Sequence, residues 1–113
     1  MTIPHRIQIR RAKGWRMPEN TVKVDRTTPL GNPFHVGVDG DRAYCVYLHR
    51  ALMTGLIALT TKATPEEQQA HRSAVLEAKP RMRGKNLGCW CSLPAPGERD
   101  ICHAPTLLEI FNA

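Results

Sequence analysis

The stretch Asn86-Leu87-Gly88-Cys89-Trp90-Cys91 decides how this sequence folds. It is short and apolar, and turn residues punctuate the chain on both sides, with Pro80 before it and Pro94, Pro96 and Gly97 after it. Such a run reads as a short buried strand. Two more strand signals lie near the N-terminus. Residues 5–11 alternate Ile7 and Ile9 with polar neighbours, and residues 21–26 place Val22 and Val24 on one face.

Between these strands and the third lie two helical patterns. The first is expected over about 41–59, capped by Asp39 or Asp41, with Val46, Tyr47, Arg50, Ala51, Met53 and Leu56 at helical spacing. Leu48, Leu52 and Leu59 widen that stripe, and Gly55 weakens its end. The second is expected over 64–79. Thr64 caps it, Pro65 suits its first position, Glu67 completes a capping box and Pro80 stops it. Its apolar content is thin, so it is expected to be largely exposed. A last helix is expected over about 105–112, opened by Pro105 and carrying Leu107, Leu108, Ile110 and Phe111. The order β-β-α-α-β-α specifies an α/β fold, a short sheet packed by helices in two or three layers.

The chain has 113 residues, room for a single domain, here 1–113. Hydrophobic residues make up 42% of it, enough for a core, but only 5% are aromatic, so aliphatic side chains must build that core. No run approaches the ~18 apolar residues of a membrane span. No signal-peptide or lipidation pattern is present, and four cysteines are too few for a secreted disulfide scaffold. These features point to a cytoplasmic protein with reduced thiols.

Cys89, Cys91, Cys102 and His103 form the strongest chemical constellation. Residues two apart on a strand share a face, so Cys89 and Cys91 present both sulfurs to one side. Cys102 and His103 precede a helix. If strand and helix are neighbours, four zinc ligands converge. Two other readings stand beside this one. One is a reactive thiolate or anion site at the helix N-terminus; the other is a set of small buried hydrophobes. Cys45, in the first helix, reads as an inert core residue.

The formal net charge is +6. Arg6, Arg10, Arg11, Lys13 and Arg16 all precede the first acid, Glu19, and Trp15 lies among them. A basic segment with an aromatic can grip phosphates and stack a base, or it can be a solvated face. The loop 27–40 contains Leu30-Gly31-Asn32-Pro33-Phe34, a turn in which Gly31 can take positive φ and Phe34 anchors on the core. Arg26 and Asn32 offer that loop's donors to a ligand, or only stiffen it.

These pieces together resemble the domain-of-unknown-function 4326 family, small proteins of bacteria and their phages. The matching residues are the segment 10–18 (Arg-Arg-Ala-Lys-Gly-Trp-Arg-Met-Pro), Asn20-Thr21-Val22, Arg26, Gly31-Asn32-Pro33-Phe34, and Gly84 to Cys91 with Cys102-His103. The family usually has Trp where Leu30 stands, a shorter connection than Cys91 to Cys102, and an Asp where Pro105 stands. Any catalytic role built on that Asp is weakened. The resemblance brings no established activity.

Three functions follow from these residues. The favoured one is a module binding nucleic acid or a nucleotide through Arg10, Arg11, Lys13, Trp15, Arg16, Arg26 and Asn32. A zinc ion would be held by Cys89, Cys91, Cys102 and His103. The second is an enzyme acting on a phosphorylated or nucleotide-like molecule, with Cys91 or Cys102 as nucleophile or metal ligand and His103 as acid/base. The third is a phage-type accessory protein that binds a host protein.

Overall fold

A computed structural model describes residues 3–113; Met1 and Thr2 lie outside the described residues. Three parallel strands form one sheet in the order β1-β3-β2: β1 (Arg6–Gln8), β2 (Thr21–Lys23) and β3 (Asn86–Cys89). The central strand is the late apolar run, buried at all four positions. Burial on both faces is what a parallel sheet demands of its middle strand. Arg6 pairs with Leu87 and Gln8 with Cys89 on one side; Thr21 pairs with Asn86 and Lys23 with Gly88 on the other. The element order is the β-β-α-α-β-α read from the sequence.

Alternation along β3 divides the packing. Leu87 and Cys89 join Val24, Val75, Met82, Leu107 and Phe111 in the main core, between the sheet and helices α2 (Pro65–Met82) and α3 (Ala104–Phe111). Gly88 turns the other way, where a Cβ would meet Ile9 at 3.2 Å and Met17 at 3.4 Å. The N-terminal segment, not a helix, covers that face, so the sheet and helices form two layers. A second cluster of Phe34, Cys45, Leu48, Leu52 and Ala63 ties helix α1 (Arg42–Met53) to the 27–40 loop. No helix among the described residues is long and apolar enough to cross a membrane.

Helix bounds differ from the sequence expectation where local chemistry intervenes. Asp41 caps α1, accepting a hydrogen bond from the Tyr44 N–H at 2.8 Å, but the helix stops at Met53 because Gly55 turns to φ +101°. Leu56 and Leu59 therefore lie outside it and are exposed, as is Tyr47. The buried stripe is Cys45, Leu48, His49 and Leu52. Helix α2 runs past Pro80 to Met82. Pro80 sits exposed in the last turn, four residues after exposed Leu76, where a missing helix hydrogen bond costs least. Most of α2 is exposed, yet its buried stripe of Gln68, His71, Val75, Ala78 and Met82 is partly polar.

Gly31 is needed for closeness rather than for positive φ, which it does not adopt. A Cβ there would stand 2.5 Å from the Asp25 carbonyl oxygen and 2.7 Å from the Arg26 Cα. Backbone cannot swing aside as a side chain can. Gly31→Ala is expected to cost about 1–3 kcal/mol of unfolding free energy in urea titrations; a loss below about 0.5 kcal/mol would contradict this close packing.

Candidate functional site

β3 ends at Cys89, and Trp90 and Cys91 follow at the carboxyl edge of the sheet. Cys102 arrives just before α3. Their fold neighbours bring the Cys89, Cys91 and Cys102 sulfurs within 4.8 Å of one another, with Cys89 and Cys91 at 3.7 Å. Three sulfurs at about 2.3 Å from a tetrahedral metal would lie roughly 3.8 Å apart, so this donor set suits zinc or another thiophilic divalent ion.

The trio also shares charge. Hydrogen bonds from Cys102 and then Cys89 hold the Cys91 thiol far below its usual pKa, with Arg42 and Arg6 adding attraction against the opposing effect of burial. Cys102 is pushed up by donating to Cys89 and Cys91 and by burial. At Cys89 the bond from Cys102 pulls down, but donation to Cys91 and burial prevail and raise it. The trio thus favours a thiolate at Cys91, the most exposed of the three sulfurs' residues, as nucleophile or ligand.

His103 stands beside the sulfurs, not among them. Its Nε2 lies 2.9 Å from the Val24 carbonyl and 3.0 Å from the Leu30 carbonyl, which assigns the proton to Nε2. Its Nδ1 faces the Cys102 sulfur at 4.0 Å. Burial keeps its pKa below the ordinary histidine value, although the Leu30 and Val24 carbonyls favour the protonated form.

The cysteines open into a cleft of about 370 Å³, lined also by Arg26, Asn32, Arg42, Trp90, Ile101 and His103. Arg26 donates to the Asn32 and Phe34 carbonyls and meets His35 Nδ1 at 3.0 Å. Asn32 spends its amide on the Cys45 carbonyl and the Phe34 N–H. Both residues therefore brace the loop while lining the cleft. Arg42 donates to the Ile101 carbonyl. Among the described residues, neither Arg26 nor Arg42 has a carboxylate partner within 4 Å, so their charge is free to act on the cleft.

Arg10, Arg11, Lys13 and Arg16 are exposed, and Trp15 is half-buried. Arg11 links this segment to the cleft, its guanidinium lying 5.0 Å from the centre of the Trp90 ring, with Lys23 at 5.8 Å. Trp90 is fixed by donating from Nε1 to Asp25 Oδ2 at 2.7 Å. Burial would raise the Asp25 pKa, but hydrogen bonds from Thr27 and Trp90 bring it below the usual value. Arg6 is different from its basic neighbours. It is buried and grips Asp100 with two bonds of 2.6 and 2.8 Å, and it donates to the Cys91 and Ser92 carbonyls. It pins the 92–101 loop rather than meeting a ligand.

Several of these residues lie outside the sequence expectation: Arg42, Trp90, Asp25 and Asp100. So do His49 and His71, whose Nε2 atoms lie 2.9 Å apart between α1 and α2. The two histidines occupy buried-stripe positions of α1 and α2, the one signal that could have found them. The sequence profile of a family described as "Domain of unknown function (DUF4326)" matches residues 7–113. No curated protein and no solved structure matches the chain.

Proposed function

The chain belongs to that family of unknown function, and from its site we propose that it is a small zinc-holding module that binds nucleic acid or a nucleotide. One observation carries this reading: three sulfurs at metal-ligand spacing line a cleft that also holds Arg26 and Arg42, while Arg11 lies over its Trp90 wall. The ligands are Cys89, Cys91 and Cys102, and the His103 Nδ1 lone pair stands 4.0 Å from the Cys102 sulfur. Zinc would neutralise the thiolates and tie β3 to the start of α3, a useful brace in an aromatic-poor core. Arg10, Arg11, Lys13 and Arg16 supply the phosphate-facing charge, and a base can stack at Trp15 or Trp90. Free thiols require a reducing compartment, so a cytoplasmic location belongs to the same proposal.

Two measurements test it. Elemental analysis of purified protein is expected to give one zinc per chain, falling to trace levels in Cys91→Ser. A labelled single-stranded oligonucleotide is expected to bind at low salt and weaken steeply as salt rises, with a shallower dependence in an Arg10→Ala/Arg11→Ala protein. Metal-free wild-type protein, or no binding at low salt, would each remove its half of the proposal.

A further inference from the structure

A three-cysteine metal site needs a fourth ligand, and no other histidine or carboxylate among the described residues stands at ligand spacing from all three sulfurs. His103 donates from Nε2 to two carbonyls, and its Nδ1, 4.0 Å from the Cys102 sulfur, falls outside the spacing that unites the three sulfurs. Asp25 spends Oδ1 on the Thr27 N–H and hydroxyl and Oδ2 on Trp90. Asp100 is locked to Arg6. The Cys45 sulfur turns to the Gly40 carbonyl at 3.8 Å. No histidine or carboxylate among the described residues joins the three-sulfur set. Structural zinc sites are closed by four protein ligands, whereas three ligands and an open position mark sites where solvent or substrate binds.

Resting on the zinc reading above, we infer that the fourth position is filled from the cleft by an exogenous ligand: an organic anion with an apolar body and a donor atom for the metal. The walls argue for this chemistry. Val36, Val46, Ile101 and the Trp90 ring give an apolar lining, and Arg26 and Arg42 add two positive charges without carboxylate partners. A divalent ion on three thiolates carries a net charge of about −1, which the two arginines more than offset. The cleft of about 370 Å³ lies within the range of small-molecule sites. Binding is a ligand exchange in which the anion's donor replaces a metal-bound water and that water leaves.

The test uses the full-length protein loaded with cobalt(II), whose d–d bands report the ligand set, with acetate and benzoate as probes. Both are expected to shift the bands saturably, benzoate at least about tenfold more tightly because its ring reaches the apolar walls. Cobalt-loaded Arg42→Met should bind benzoate about tenfold more weakly. Bands that stay fixed at saturating probe, together with a spectrum altered by His103→Ala before any probe is added, would mean that His103 closes the site. That would overturn the inference while leaving the zinc reading intact. Equal affinity for acetate and benzoate would overturn the apolar-body assignment. Failure of cobalt to bind would overturn the zinc reading and this inference with it.

Discussion

Replacing Asp100 by alanine is expected to lower unfolding free energy by about 3 kcal/mol, near the lower end of what breaking a buried ion pair costs. The Arg6 side chain is 3% exposed and its partner 21%. Removing the carboxylate leaves a guanidinium in the interior with only the Cys91 and Ser92 carbonyls to satisfy it. Arg6 and Asp100 lie 94 positions apart, so their bond closes the 92–101 loop onto the first strand. The loop should then become a tryptic site at Arg99 under conditions where the wild-type protein resists cleavage. The Arg6 bond to the Cys91 carbonyl also steadies one of the proposed metal ligands, and losing such support typically weakens metal binding about 10- to 100-fold. Arg6→Lys should recover little, since an ammonium cannot span both carboxylate oxygens and two carbonyls. A variant within about 0.5 kcal/mol of wild type, with unchanged cobalt affinity, would show that the pair is only decorative.

How legible this was in the sequence depends on the kind of signal. β3 was readable because its burial is complete and its residues are small or apolar, so composition and environment agree. The two parallel neighbours were readable from the alternation of Ile7 and Ile9 and of Val22 and Val24. Strand periodicity suggested that Cys89 and Cys91 converge, though β3 ends at Cys89 and Cys91 lies just beyond it, and the approach of Cys102 needed only α3 to lie beside β3. Polar residues in buried places defeated the same logic. Gln68 is fully buried because its amide bonds the Ala58 backbone on both sides and the Ala63 carbonyl. Hydropathy periodicity scores such a residue as solvent-facing. The role of His103 was hidden for another reason. Its spacing next to Cys102 suggests a ligand, but which ring nitrogen could serve depends on the Val24 and Leu30 carbonyls, remote in sequence, which take Nε2 and leave Nδ1 facing Cys102. Arg6 was hidden likewise: an arginine in a basic run looks like a surface charge until its distant carboxylate is known.

The buried histidines carry the second large effect. Acidification from pH 7.5 to 4 is expected to cost roughly 3 kcal/mol through His71 alone, whose pKa falls from 6.5 to about 4. Burial is the main cause, opposed by the Pro29 carbonyl and reinforced by His103. The geometry explains why a proton is unwelcome. His71 Nδ1 lies 3.0 Å from the Pro29 carbonyl and therefore carries hydrogen, which leaves Nε2 to accept from His49 Nε2 at 2.9 Å. Protonating His71 would set two N–H groups against each other. Protonating His49 at Nδ1 would bury an N–H with no partner, since that atom has none among the described residues. Burial, with His103 and His71 nearby, accordingly holds His49 well below 6.5 as well. Because both folded-state values lie below the unfolded value, stability is complete above pH 6.5 and is lost as pH falls through the folded values. The lowered Asp25 adds its own loss only below its ordinary 3.8, outside this window. Urea unfolding at pH 7.5, 6.5, 5.5 and 4.5 reads the slope. Between pH 6.5 and 4.5, a His49→Leu/His71→Leu protein should lose less stability than wild type by about 1.4 kcal/mol per pH unit or more, one proton's worth or better. The comparison also cancels release of the proposed metal, which acid would promote equally in both proteins by protonating their thiolates. Identical slopes would mean that both rings take up protons as readily in the folded protein as in the unfolded chain, and the buried neutral pair would be overturned.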